Sequence, residues 1–131
     1  MSVKGVGLKT LLCIAWFISN SCQSTKCVDT SEIKPSQYLI EQASLVHFAY
    51  EEHLKNAQRN QESSLIKIIE FSSETDGENG LTHGFVLLKL QEKLGHKVFN
   101  SVLPHASAEA QKRALTLMRV AKKMKKKMGN L

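Results

Sequence analysis

The chain has 131 residues, 42% of them hydrophobic, a net charge of +6 and three cysteines. That length fits one small domain, and so few cysteines exclude a disulfide framework as the source of stability. The charge is uneven: Cys22 to Gln111 carries 8 Lys and Arg against 12 Asp and Glu, while Lys112 to Leu131 carries 8 basic residues and no acid, which excludes a uniformly cationic protein.

The N-terminal stretch reads as an export signal. Lys4 and Lys9 give a positive start, Thr10 to Ile18 an apolar run, and Ser19 to Thr25 a polar end. The run is too short for a membrane-crossing helix, which needs about 20 apolar residues. Ser19 and Ser21 are small enough to precede a cut ahead of Cys22. The segment Ser19-Asn20-Ser21-Cys22 resembles the lipobox of bacterial lipoproteins, although a Leu is commoner where Ser19 stands and a smaller or apolar residue where Asn20 stands. The resemblance implies acylation of the Cys22 thiol and attachment to a membrane. Ordinary cleavage nearby, for example after Ser24, gives a soluble secreted protein instead, and an uncleaved anchor is a third reading.

Residues 22–35 are polar and without a period, as in a flexible tether. Ser36, after Pro35, is a helix cap, and Leu39, Ala43, Val46, Tyr50, Leu54 and Ala57 recur at helical spacing, predicting one long helix to about Arg59–Gln61. Leu65 to Phe71 is short and Ile-rich; it reads as a helix starting at Ser63 or Ser64 because no second strand signal exists for it to pair with. Ser72 to Gly80 reads as an acidic loop, and a third helix opens at Gly80 or Thr82 with Phe85, Leu87, Leu88, Leu90 and Leu94 inward. Gly95 suits a helix end, Val98 to Leu103 form a short segment stopped by Pro104, and Ser107 caps the last helix. In that helix Ala110, Ala114, Leu117, Ala121, Met124 and Met128 fall within about 80° of one another, with Arg119, Lys122, Lys123, Lys126 and Lys127 on the far side.

The sum is an all-α protein: a signal peptide at 1–21, a tether at 22–35, and a single helical domain at 36–131 built as a small bundle of four to five helices in antiparallel hairpins. Its expected role is binding without catalysis or a cofactor, as an envelope lipoprotein held through Cys22 or as a secreted protein meeting an envelope partner. The basic face of the last helix offers a second role, peripheral attachment to anionic membranes or other polyanions. Export and the lack of basic-aromatic interleaving speak against nucleic acid. A third class, a small metal-dependent enzyme, would use His83 with the acidic loop. Glu74, Asp76, Glu78 and Asn79 fail the calcium-loop test, because counting from Glu74 places Asn79 and Phe85 where Gly and Glu are required. The pairs His47/Glu51 and Glu92/His96 are four apart, but neither forms a zinc or di-iron pattern. No metal site is expected.

Overall fold

The computed structural model describes residues 31–130. The signal at 1–21, Cys22, Cys27 and the tether from 22 to 30 lie outside the described residues. Within them there is no strand, and six α-helices stand where four or five were expected: α1 (Gln37–Leu45), α2 (Tyr50–Gln58), α3 (Glu62–Glu70), α4 (Gly77–Leu94), α5 (His96–Val102) and α6 (Ala108–Gly129), with 3-10 turns at Phe71–Glu74 and Leu103–His105.

The extra helix comes from a break in the first predicted one. His47 adopts φ 55°, and the amides of His47 and Phe48 donate to the carbonyls of Ser44 (3.0 Å) and Ala43 (2.9 Å). That crossed pair of bonds is a Schellman ending, which satisfies the last carbonyls of α1 and turns the chain. Val46 is consequently 47% exposed, although it shares the helical spacing of Leu39, Ala43, Tyr50, Leu54 and Ala57, all of them buried. His47 and Glu51 therefore do not share a helix face. The end of α2 repeats the device with Asn60 at φ 62°, where Asn60 and Gln61 donate to Ala57 (3.0 Å) and Asn56 (3.1 Å).

Both predicted serine caps form: Ser36 Oγ accepts from the Leu39 amide at 3.2 Å and Ser107 Oγ from the Ala110 amide at 3.3 Å. Neither Ser63 nor Ser64 caps α3, whose N-cap is Gln61. The predicted acidic loop is largely helical, because the 3-10 turn takes Phe71–Glu74 and α4 begins at Gly77. Gly95, at φ 91°, separates α4 from α5, so Glu92 and His96 stand on different helices.

The body also begins at Ser31 rather than Ser36. Ile33 is a core residue, 7% exposed, and the Gln58 side-chain amide clasps its backbone from both sides, accepting from the Ile33 amide at 2.7 Å and donating to its carbonyl at 3.1 Å.

Helix directions depart from a string of antiparallel hairpins. The α2–α3 pair is one such hairpin, with Tyr50 at the start of α2 and Phe71 just past the end of α3 bringing their rings to 5.2 Å. In contrast, α4 and α6 run the same way. A Cβ at Gly80 would meet the Leu117 and Arg113 side chains, and a Cβ at Gly84, one turn on, would meet the Leu117 carbonyl and Ala121. Farther on, Lys125 Nζ lies 3.2 Å from Glu92 Oε1. The helices α2 and α4 are parallel too, since Tyr50 meets His83 while Lys93 Nζ donates to Gln58 Oε1 at 3.1 Å. The segment holding α5 and the Leu103–His105 turn returns the chain to the start of α6, a crossover that parallel neighbours require. Small residues allow α4 and α6 their close approach: Gly80 and Gly84 on one side, and the buried Ala121 on the other.

Candidate functional site

The last helix is the most strongly charged element, and the core covers only part of it. Its buried residues are Ala110, Ala114, Leu117, Met118 and Ala121. Every described residue after Ala121 is exposed. At about 1.5 Å per residue, the stretch from Ala121 to Gly129 runs roughly 12 Å beyond the last buried residue, with Lys125 still reaching Glu92 of α4. Met124 and Met128 continue the inward stripe but are 37% and 56% exposed, so the apolar face of this end lacks the cover that its first half receives.

All five basic residues singled out from sequence, Arg119, Lys122, Lys123, Lys126 and Lys127, are exposed on α6. Lys125, which the sequence reading passed over, differs in pairing with Glu92 across to α4. At 100° per residue, Lys123 and Lys127 lie on one flank of the Met124–Met128 stripe and Lys125 on the other, with Lys122 and Lys126 behind. Val120, 45% exposed, widens the apolar strip. An apolar strip edged by lysines can lie in the interface of an anionic bilayer, with methionine side chains below the headgroups and ammonium groups at their level. Among the described residues no helix is long and apolar enough to cross a membrane.

His83 does not occupy the place that the sequence suggests. It belongs to the body of α4, is 0% exposed, and engages both ring nitrogens: Tyr50 Oη lies 2.6 Å from Nδ1 and Ser72 Oγ 3.0 Å from Nε2. Burial lowers its pKa to about 3, against the opposing effect of a hydrogen bond with the Ile68 backbone, so the imidazole is neutral. Burial also raises the Tyr50 phenol well above its ordinary 10.0. The serine–histidine–tyrosine chain has the atoms of a nucleophile and base, but Ser72 is itself 0% exposed and has no opening to solvent. Nor do Glu74, Asp76 and Glu78 join His83, since all three face solvent. Among the described residues no three His, Cys, Asp or Glu side chains gather as a metal site requires.

A groove of about 640 Å³ opens at the α1–α2 break, lined by His47, Phe48, His53, Lys67, Glu70 and Phe71 among others. Its floor is aromatic: Phe48 stacks on Phe71 with centroids 4.7 Å apart and approaches the His53 ring at 5.0 Å. The pKa of His53 is lowered by burial and then by Lys67, and its Nδ1 atom is buried without a hydrogen-bond partner. This groove is absent from the sequence reading because it depends on the positive φ at His47, a position that carries no glycine to announce it.

No family model matches the chain, and no curated protein or solved structure is detectably similar to it.

Proposed function

We propose that this chain is an exported, non-catalytic helical binding protein that attaches peripherally to anionic membranes through the exposed C-terminal end of α6. The observation that carries the reading is the lack of any buried residue in α6 beyond Ala121, which leaves Met124 and Met128 partly uncovered and flanked by exposed lysines. A helix packed for stability alone has no need of five lysines within six positions, Lys122 to Lys127. Each basic residue near an anionic leaflet contributes about 1 kcal/mol. Lys123 and Lys127, which flank the strip and are free of the Glu92 pairing, thus give about 2 kcal/mol before any methionine is buried. The export signal at 1–21, with Cys22 as the acylation site, supplies the compartment and a second hold on the membrane.

The attachment is tested by sedimenting the full chain with phosphatidylcholine vesicles, with and without phosphatidylglycerol, at low and high salt. Binding should favour the anionic vesicles, weaken with salt as screened charge requires, and fall at least tenfold in a Lys123→Glu, Lys127→Glu variant, which reverses the charges that flank the strip. Equal binding by wild type and variant would end this reading. Intact mass of the protein from a bacterial host, beside Cys22→Ser, tests the lipid hold separately: an acylated mass beginning at Cys22 and lost in the variant is expected, and an unmodified mass contradicts it.

A further inference from the structure

Three methionines lie on α6, and burial divides them. Met118 is 6% exposed and belongs to the hydrophobic core, whereas Met124 and Met128 are 37% and 56% exposed beyond the last buried residue, Ala121. Val120, Met124 and Met128 fall on successive turns, so two of the three side chains of the uncovered strip carry a thioether. The apolar character of a thioether is conditional. Oxidation makes it a sulfoxide, which is polar and chiral and accepts hydrogen bonds, whereas a valine or leucine at the same place offers no such reaction.

The flanking lysines, Lys123 and Lys127, supply only part of a membrane hold, and the strip between them must supply the rest. With α6 lying in the interface of a bilayer, the methionine side chains reach among the acyl chains, where a sulfoxide oxygen loses its hydrogen bonds to water without replacement. In the free protein the same oxygen stays solvated, so oxidation weakens the bound state selectively. It also spares the fold, since α6 buries nothing beyond Ala121. The core sulfur of Met118 is reached only when the packing around it opens.

We propose that Met124 and Met128 form a modification site at which a hydroperoxide releases the protein from an anionic bilayer while its helical body stays folded. This rests on the reading of α6 given above. At each residue the thioether sulfur attacks one oxygen of the hydroperoxide. An S–O bond forms, the O–O bond breaks, and the other oxygen takes the proton and leaves as water, or as an alcohol from an organic hydroperoxide. The sulfur is oxidised by two electrons and the peroxide reduced by two. Methionine sulfoxide reductases reverse the step at the expense of two thiols, which become a disulfide as the sulfoxide oxygen leaves as water. The effect is reciprocal, because a bilayer that covers the strip keeps aqueous peroxide from both sulfurs.

The site is tested by treating the full chain with hydrogen peroxide, free or on phosphatidylglycerol-containing vesicles, and following each methionine by peptide mass mapping. Without vesicles, Met124 and Met128 should gain an oxygen roughly tenfold faster than Met118, and vesicles should slow both several-fold. Once both are oxidised, sedimentation with the same vesicles should fall roughly tenfold with the thermal melt unchanged, and sulfoxide reductases should restore it. Met124→Leu, Met128→Leu keeps an apolar strip and every other oxidisable group, so its binding should survive peroxide. Loss of binding in that variant too would assign the release to other groups and overturn the proposal, as would equal oxidation of all three methionines. An oxidised wild type that still binds, while Lys123→Glu, Lys127→Glu does not, overturns release by oxidation and leaves the α6 reading standing. Wild type that fails to bind before any peroxide is added overturns both.

Discussion

Tyr50 Oη lies 2.6 Å from Nδ1 of His83, and both residues are excluded from solvent. A phenol that only accepted here would leave its own buried O–H without a partner, so the consistent assignment has Tyr50 donating to Nδ1 and the ring proton on Nε2, facing Ser72 Oγ. Phe71 packs edge-on against both rings, at 5.2 Å and 5.4 Å. The network joins α2, the Phe71–Glu74 turn and α4 at the centre of the core, and it is built for neutral groups only.

Stability should therefore be flat across neutral pH and fall on both sides. His83 has a folded pKa of about 3 against 6.5 for the free group, so the unfolded chain takes up its proton first as pH falls. The loss begins below about pH 6.5, reaches about 3 kcal/mol from this group by pH 4, and is complete only below pH 3. Tyr50 acts in the opposite direction: its raised folded pKa removes stability as pH climbs above 10.0. Urea denaturation at intervals from pH 4 to 11 checks both limbs. An acid limb of unchanged size in Tyr50→Phe, His83→Leu would assign the loss to other groups.

Removing only the donor is a sharper probe of the same pair. Tyr50→Phe keeps the ring contacts with Phe48 and Phe71 but leaves Nδ1 buried and unsatisfied, which costs about 1–3 kcal/mol. In a domain of this size that lowers the melting temperature by at least about 4 °C. A melting temperature equal to wild type would show that the hydrogen bond contributes nothing net.

Helix content was legible where capping chemistry is local. Ser36, Ser107, Gly95 and Pro104 each mark a boundary through side-chain or backbone chemistry that acts within a turn, and each marks one in the folded protein. The break at His47 was not legible, because an unbroken helical spacing runs from Leu39 to Ala57 and only the Ala43 and Ser44 carbonyl bonds reveal that the helix stops. His83 was misplaced for a related reason: the Gly and acidic residues from Asp76 to Gly80 resemble a loop, whereas Gly80 and Gly84 serve the approach of α6. The basic residues of α6 were found from their helical phase. The pairing of Lys125 with Glu92 depends on helix direction, which sequence spacing does not encode.

Gly84 and Gly80 should respond differently to one added methyl group. A Cβ at Gly84 would stand 2.6 Å from the Leu117 carbonyl oxygen and 2.9 Å from its carbon, so the backbone of α6 must shift. Such overpacking costs about 1–3 kcal/mol, more than the helix-propensity gain of about 1 kcal/mol. At Gly80 the nearest atom is the Leu117 Cδ2, at 3.0 Å, the tip of a side chain that can rotate. Gly84→Ala should lower the unfolding free energy and Gly80→Ala should leave it within about 1 kcal/mol of wild type. Reversal of that order would contradict the α4–α6 crossing.

Glu70 and Ser107 form a cap shared between helices. One carboxylate oxygen accepts from the Ser107 amide and the other from its hydroxyl at 2.8 Å, while the same hydroxyl oxygen accepts from Ala110. Losing a helix cap costs about 1 kcal/mol. Glu70→Ala and Ser107→Ala should each show a loss of about that size, and the double variant less than their sum, because both remove the bond from the Ser107 hydroxyl to Glu70. Additive losses in the double-mutant cycle would mean that the two residues act independently.

The Gln58 clasp decides where the body ends and the leader begins. Its amide makes both backbone bonds to Ile33, and its Oε1 also receives Lys93, the residue that holds Ser31. Gln58→Ala removes this junction while the buried Leu54 and Ala57 keep α2 in the core. Each lost bond is worth about 1 kcal/mol, so the global stability should fall by no more than about 2–3 kcal/mol. The local effect should be larger than the global one, since only the segment around Ile33 loses its hold and Glu32, already exposed, gains the backbone freedom that a protease needs. Limited digestion with a glutamate-specific protease should cut after Glu32 at least several-fold faster in Gln58→Ala than in wild type, with cleavage after Glu41 and Glu78 unchanged. A uniform rise at all three glutamates would instead mark general loosening of the fold, and an unchanged rate at Glu32 would show that Ile33 is held by its apolar contacts alone.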